Sequence, residues 1–140
     1  MRFRKVVFDF VFAFCAAISL FGAAAFVYFQ SSLLVVTSRS MEPTFKAGDT
    51  LLTTSIPTSK IIKSDVLVLP VPNVEGLRFS HRVIEVSREL TGTVIKTQGD
   101  ANPTPDSWTL NITDQQVPRV VAVIPTSFIF ALGHIFDNDT

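Results

Sequence analysis

The sequence predicts a mainly β domain carried behind one apolar N-terminal helix of membrane-spanning length. Three observations predict it. A charge-free run of nineteen residues, Phe10 to Tyr28, follows a basic start. Beyond Gln30, six short runs rich in Val, Ile, Leu and Thr alternate with clusters of Gly, Pro, Asn and Asp. Apolar spacing of helical period persists nowhere outside the first run.

The helix comes first. A helix rises about 1.5 Å per residue, so roughly 20 apolar residues cross a bilayer core. Seven of the thirteen Phe residues lie before residue 27, so the aromatic surplus belongs to this segment. Arg2, Arg4 and Lys5 precede the run against Asp9 alone, which predicts a cytoplasmic N-terminus and export of the chain beyond the helix. A cleaved signal peptide has the same basic start, with Ala23-Ala24-Ala25 as its small-residue site. The run, however, outlasts the usual apolar core of about 7–15 residues and continues through Phe26, Val27 and Tyr28, so a retained anchor is expected. The single Cys15 lies in this segment and reads as a small residue facing lipid. With one cysteine, no intrachain disulfide forms.

The strand-like runs are Leu33–Thr37, Thr50–Ser55, Asp65–Val71, Arg78–Ser87, Thr93–Gln98 and Val117–Ile124. The resulting division is 1–30 for the tail and anchor, 31–125 for the β domain and 126–140 for an apolar tail. That tail, interrupted by Gly133 and His134, reads equally as a membrane-surface segment or as part of the core. Twelve basic residues balance twelve acidic ones with no long basic cluster, so no nucleic-acid partner is expected. The chain has no G-x-S-x-G, H-E-x-x-H or C-x-x-C, so no metal or other cofactor is expected. Asn111-Ile112-Thr113 and Asn138-Asp139-Thr140 are glycan acceptors only in a secretory pathway.

Three strings carry chemistry. The first is Ser38-Arg39-Ser40-Met41-Glu42-Pro43-Thr44, with Gly48-Asp49 after it. In an extended backbone residues two apart face the same way, so Ser38 and Ser40 can share one pocket. One hydroxyl can attack a carbonyl while the other, with a backbone N–H, stabilises the oxyanion. Pro43 favours an extended Glu42, and Gly48-Asp49 supplies a turn. The second string is His81-Arg82-Val83 within a strand-like run. Serine needs a base, and an imidazole titrates near about pH 6.5 unaided, whereas a Lys must first be desolvated. Lys63 and Lys96 are the rival bases, and His134 reads as structural. The third string runs from Gly99-Asp100-Ala101-Asn102 to Asp106. A carboxylate on the far ring nitrogen of the base would fix its tautomer, and either Asp106 or Asp100 can supply it.

Together these strings resemble the type I signal peptidases. S-x-S-M-x-P-T is similar to that family's nucleophile box, and Gly-Asp-x-Asn to its acidic box. In the bacterial branch a Lys precedes Arg-Val; His81 in that place resembles the endoplasmic-reticulum, archaeal and spore-former branch. The resemblance spans the anchor to about Pro125. It implies a small antiparallel β catalytic domain with Ser40 as nucleophile, Ser38 as oxyanion donor, His81 as base, Asp106 as its orienting acid and Asp100 in support. It implies signal peptides of exported preproteins as substrates, the bilayer as the seat of the enzyme, and leaves room for accessory membrane subunits. Ala101 departs from a frequent Asn, and Arg39 from a Gly common between the two serines. A membrane-tethered β module that binds a partner without chemistry is the alternative from another class. A self-cleaving repressor of the same fold would lack the anchor.

Overall fold

The computed structural model describes residues 2–28 and 31–128, and the chain divides into two compact units, Met1–Ser31 and Ser32–Thr140. The first unit is the helix α1, Arg2–Tyr28. It starts two turns earlier than the uncharged run, because Arg, Lys and Val near its start are adequate helix formers when no Gly or Pro intervenes. Its segment Lys5–Val27 is long and apolar enough to cross a membrane, and none of it is buried against protein. Those 23 residues extend about 34 Å.

The second unit is one seven-stranded sheet: β1 Ser32–Val35, β2 Thr50–Pro57, β3 Val66–Pro70, β4 Arg78–Glu89, β5 Gly92–Gln98, β6 Thr109–Ile112 and β7 Gln116–Ile124. Every pairing is antiparallel, in the order β1-β2-β7-β3-β4-β5-β6. β7, the last strand among the described residues, therefore sits mid-sheet, with β1–β2 on one side and β3 to β6 on the other. Six strands fall on the predicted runs. β6 does not, although Trp108, Leu110 and Ile112 alternate with the more exposed Thr109 and Asn111. The alternation is short and lies between Pro105 and Asp114, where turn residues mask it. Leu110 and Ile112 pack against the main core.

That core joins Ile56, Ile61, Leu67, Leu69, Val83, Ile95 and Val117. A second cluster, Met41, Phe45 and Leu51, underlies the loop after β1. Fully burying an aliphatic or aromatic side chain contributes about 1.5–3 kcal/mol, so the loop is held from below by its own Met41 and Phe45. Of the apolar tail 126–140, residues 126–128 form one turn, with Phe128 N–H donating to Pro125 O at 3.0 Å. His134 and the sequon at Asn138 lie outside the described residues.

Candidate active site

β1 ends at Val35, so the strand expected to Thr37 is shorter, and Ser38 and Ser40 do not lie on one extended segment. Ser40 to Thr44 is a turn, and the Glu42–Pro43 peptide within it is cis rather than part of an extended stretch. Glu42 N–H donates to Arg39 O at 3.2 Å and Phe45 N–H to Met41 O at 3.3 Å. The two hydroxyls converge nonetheless, with Ser38 Oγ 3.3 Å from Ser40 Oγ. The loop's far end closes on Asp49, whose Oδ2 accepts Lys46 N–H at 2.9 Å and whose Oδ1 accepts Thr126 N–H at 2.9 Å. Those two backbone donors hold the Asp49 carboxyl below the ordinary Asp range. Gly48, at φ 93°, makes the turn that a side chain would strain.

His81 is the fourth residue of β4, opposite Leu67 of β3, and is 7% exposed. Its Nε2 is 3.1 Å from Ser40 Oγ, and its Nδ1 is 2.7 Å from Asp106 Oδ2. With Nδ1–H donating to the carboxylate, Nε2 is free to accept from the serine hydroxyl. Asp106 is 9% exposed and has a second donor, Thr97 Oγ1, at 2.6 Å on the same oxygen. Asp106 N–H also donates to Thr97 O at 2.9 Å, so β5 fixes both backbone and side chain of the acid. Thr97 is a site residue that sequence reasoning missed. Its signal was present in the inward alternation of Thr93, Ile95 and Thr97 on β5.

Asp100 has a different place. Its Oδ1 accepts Arg82 Nε at 2.8 Å, and its Oδ2 accepts Arg82 Nη2 at 2.6 Å and Thr44 Oγ1. The Arg82 fork, helped by Thr44, holds the Asp100 carboxyl below its usual range, and Asp100 in turn raises the Arg82 guanidinium. Of the two candidate acids, then, Asp106 is the one hydrogen-bonded to His81, while Asp100 ties β4 to the serine turn. Asp100 N–H donates to Met41 Sδ at 3.4 Å and Ala101 N–H to Ser40 O at 2.9 Å. Gly99 permits that approach: a Cβ there would stand 2.6 Å from Ser40 O. Arg39, between the serines, points its Nε at Glu42 Oε1, 2.8 Å away, and braces the turn from outside. Among the described residues neither Lys63 nor Lys96 hydrogen-bonds Ser40.

Beside Ser38 opens a shallow cavity of about 130 Å³, lined by apolar side chains such as Leu34, Phe45 and Phe79 and by the polar Thr37, Arg78 and Ser80. Phe79 also meets the His81 ring edge-on, with centroids 5.0 Å apart and planes at 73°. On its other side Phe79 meets Trp108 at 5.8 Å. No family model matches the chain, and no curated protein matches it.

Proposed function

We propose that the chain is a membrane-bound serine endopeptidase that removes signal peptides from exported preproteins. The observation that carries this reading is the unbroken relay Ser40 Oγ–His81 Nε2, His81 Nδ1–Asp106 Oδ2, at 3.1 and 2.7 Å. Three residues from well-separated parts of the chain converge at hydrogen-bonding distance, as activation of a serine requires.

In this reading Ser40 Oγ attacks the scissile carbonyl as His81 Nε2 takes its proton. Asp106 stabilises the imidazolium, and Ser38 Oγ with a backbone N–H of the turn faces the oxyanion. The C–N bond breaks as His81 returns the proton to the leaving amine. Water, activated by the same imidazole, then releases the acyl group from Ser40. The small cavity beside Ser38, of mixed polar and apolar lining, would take a small side chain on the acyl side of the cut. The substrate backbone can add as an extended strand at the open edge of β1. In this reading the cut falls on the extracytoplasmic side, the side to which the charge bias of Arg2, Arg4 and Lys5 would send the chain beyond α1.

Detergent-solubilised protein incubated with an Ala-x-Ala preprotein tests this reading. Cleavage is expected in wild type and lost in Ser40→Ala, His81→Ala and Asp106→Ala. Normal processing by Ser40→Ala would sink this reading, and absence of cleavage by wild type, with no labelling of its Ser40 by a serine-directed acylating probe, would instead favour a tethered binding module.

A further inference from the structure

Five arginines belong to the β domain, and four of them have partners. Arg39 pairs with Glu42, Arg82 with Asp100 and Arg119 with Asp65, while Arg88 donates to Ser59 O and Ile61 O. Arg78 is the exception: among the described residues its guanidinium stands within ion-pair distance of no carboxylate. It does not lie on open surface. Arg78 lines the cavity beside Ser38, and of the residues lining that cavity it alone carries charge. Together with Val68 it also lines a second cavity of about 310 Å³, bounded by Leu110, Asp114 and Gln116. Open volume on both sides leaves the guanidinium free to meet a ligand rather than packed against protein. The backbone beneath it is fixed: Arg78 begins β4 opposite Pro70, and Val71 N–H donates to Leu77 O at 2.9 Å. An arginine keeps its charge at every working pH, and its planar fork of N–H donors matches a carboxylate. A lone cation in a cleft of low-dielectric walls draws the opposite charge toward it.

We infer that Arg78 selects substrates that carry an acidic side chain upstream of the cut. The inference rests on the peptidase reading above and adds a charge requirement to the demand for small residues. Arg78 and His81 are the first and fourth residues of β4. A strand rises about 3.3 Å per residue, so they stand about 10 Å apart along it. An extended substrate covers that length in about three residues. With its scissile carbonyl at Ser40 and its acyl side in the cavity, the side chain that meets Arg78 belongs about three to five residues before the cut. In an Ala-x-Ala substrate the third is already alanine, which leaves the fourth and fifth. A Glu there gains an ion pair at a partly solvated site, so it should raise kcat/KM about three- to fivefold over Gln.

The test uses the full chain in neutral detergent at low salt. Its substrates are Ala-x-Ala preproteins with Glu, Gln or Lys at the fourth or fifth residue before the cut. Wild type should cleave the Glu form with the highest kcat/KM and the Lys form with the lowest. Arg78→Gln should bring the three forms together, and Arg78→Glu should put Lys first. Lys60→Gln removes an exposed cation on another element and should keep the wild-type order. Equal kcat/KM for all three forms in wild type would overturn the inference and leave the peptidase reading standing. So would an order unchanged in Arg78→Gln, or one lost equally in Lys60→Gln, which would mean that overall charge sets the preference. Cleavage of none of the three by wild type would sink the inference and the peptidase reading together.

Discussion

Replacing Asp106 with Asn changes two atoms in the relay and little of its shape. Oδ2 accepts both His81 Nδ1 and Thr97 Oγ1, at 2.7 and 2.6 Å. An amide serves both donors only by placing its oxygen there, and Thr97 favours that orientation. The tautomer of His81 is then preserved, and what is lost is the negative charge facing the imidazolium. Opposite unit charges about 4 Å apart interact by about 4 kcal/mol at the effective dielectric of a partly buried site. At about 1.4 kcal/mol per decade, kcat/KM should fall about a thousandfold. If the amide turns its nitrogen to His81 instead, the wrong tautomer is enforced and the fall approaches about ten-thousandfold. Thr97→Val removes the orienting donor, so adding it to Asp106→Asn should deepen the loss beyond the product of the single effects. The assay is steady-state cleavage of an Ala-x-Ala preprotein, with thermal melting of each variant as a folding control. A well-folded Asp106→Asn protein that retains more than a tenth of wild-type activity would refute the role given to this carboxylate.

Three further outcomes are expected. Asp100 is held below its unfolded value by Arg82 and Thr44, so its contribution is complete above the unfolded carboxylate value of about pH 4 and drains away as pH falls through the depressed folded value. Denaturant titrations between pH 6 and pH 2.5, roughly the span of that transition, should show a smaller acid loss in Asp100→Asn; matching slopes would count against the Arg82 pairing. Gly99→Ala forces a Cβ to 2.6 Å from Ser40 O, so it should cost about 1–3 kcal/mol of stability and lower kcat more than it raises KM. Wild-type kinetics in that variant would show that the acid loop does not hold the serine turn. Arg39→Gly removes only an exposed ion pair with Glu42, so melting should barely move. If activity nevertheless collapses, Arg39 acts on the substrate or the turn in a way its pairing does not describe.

The fold was largely legible because its strands are apolar and its breakers sharp. Runs such as Asp65–Val71 and Arg78–Ser87 are bounded by Pro, Asn and Gly, and backbone geometry kept closely to them. β6 escaped because four residues between prolines and polar turns carry too little alternation to stand out. At the site, the three strings named Ser40, His81 and Asp106, while spacing alone could not separate Asp106 from Asp100. That separation depends on β5, which turns Thr97 and Asp106 toward His81 and leaves Asp100 to Arg82. Extended geometry was the wrong reason for pairing Ser38 with Ser40. Hydrogen bonds across the turn bring the hydroxyls together, and local sequence does not encode those.

The central position of β7 has a temporal meaning. The strands flanking Ser40 belong to one half of the sheet, and those bearing His81 and leading to Asp106 to the other; β7 is the ladder that joins them. A nascent chain that has not yet delivered Gln116–Ile124 lacks the ladder between the two half-sheets and has only loop contacts, such as Asp100 with Thr44 and Ala101 with Ser40, to hold them together. Under the proposed function, activity would appear only once β7 docks. Chains cut between β6 and β7 should be inert, and a synthetic β7 peptide supplied in trans should restore activity to them.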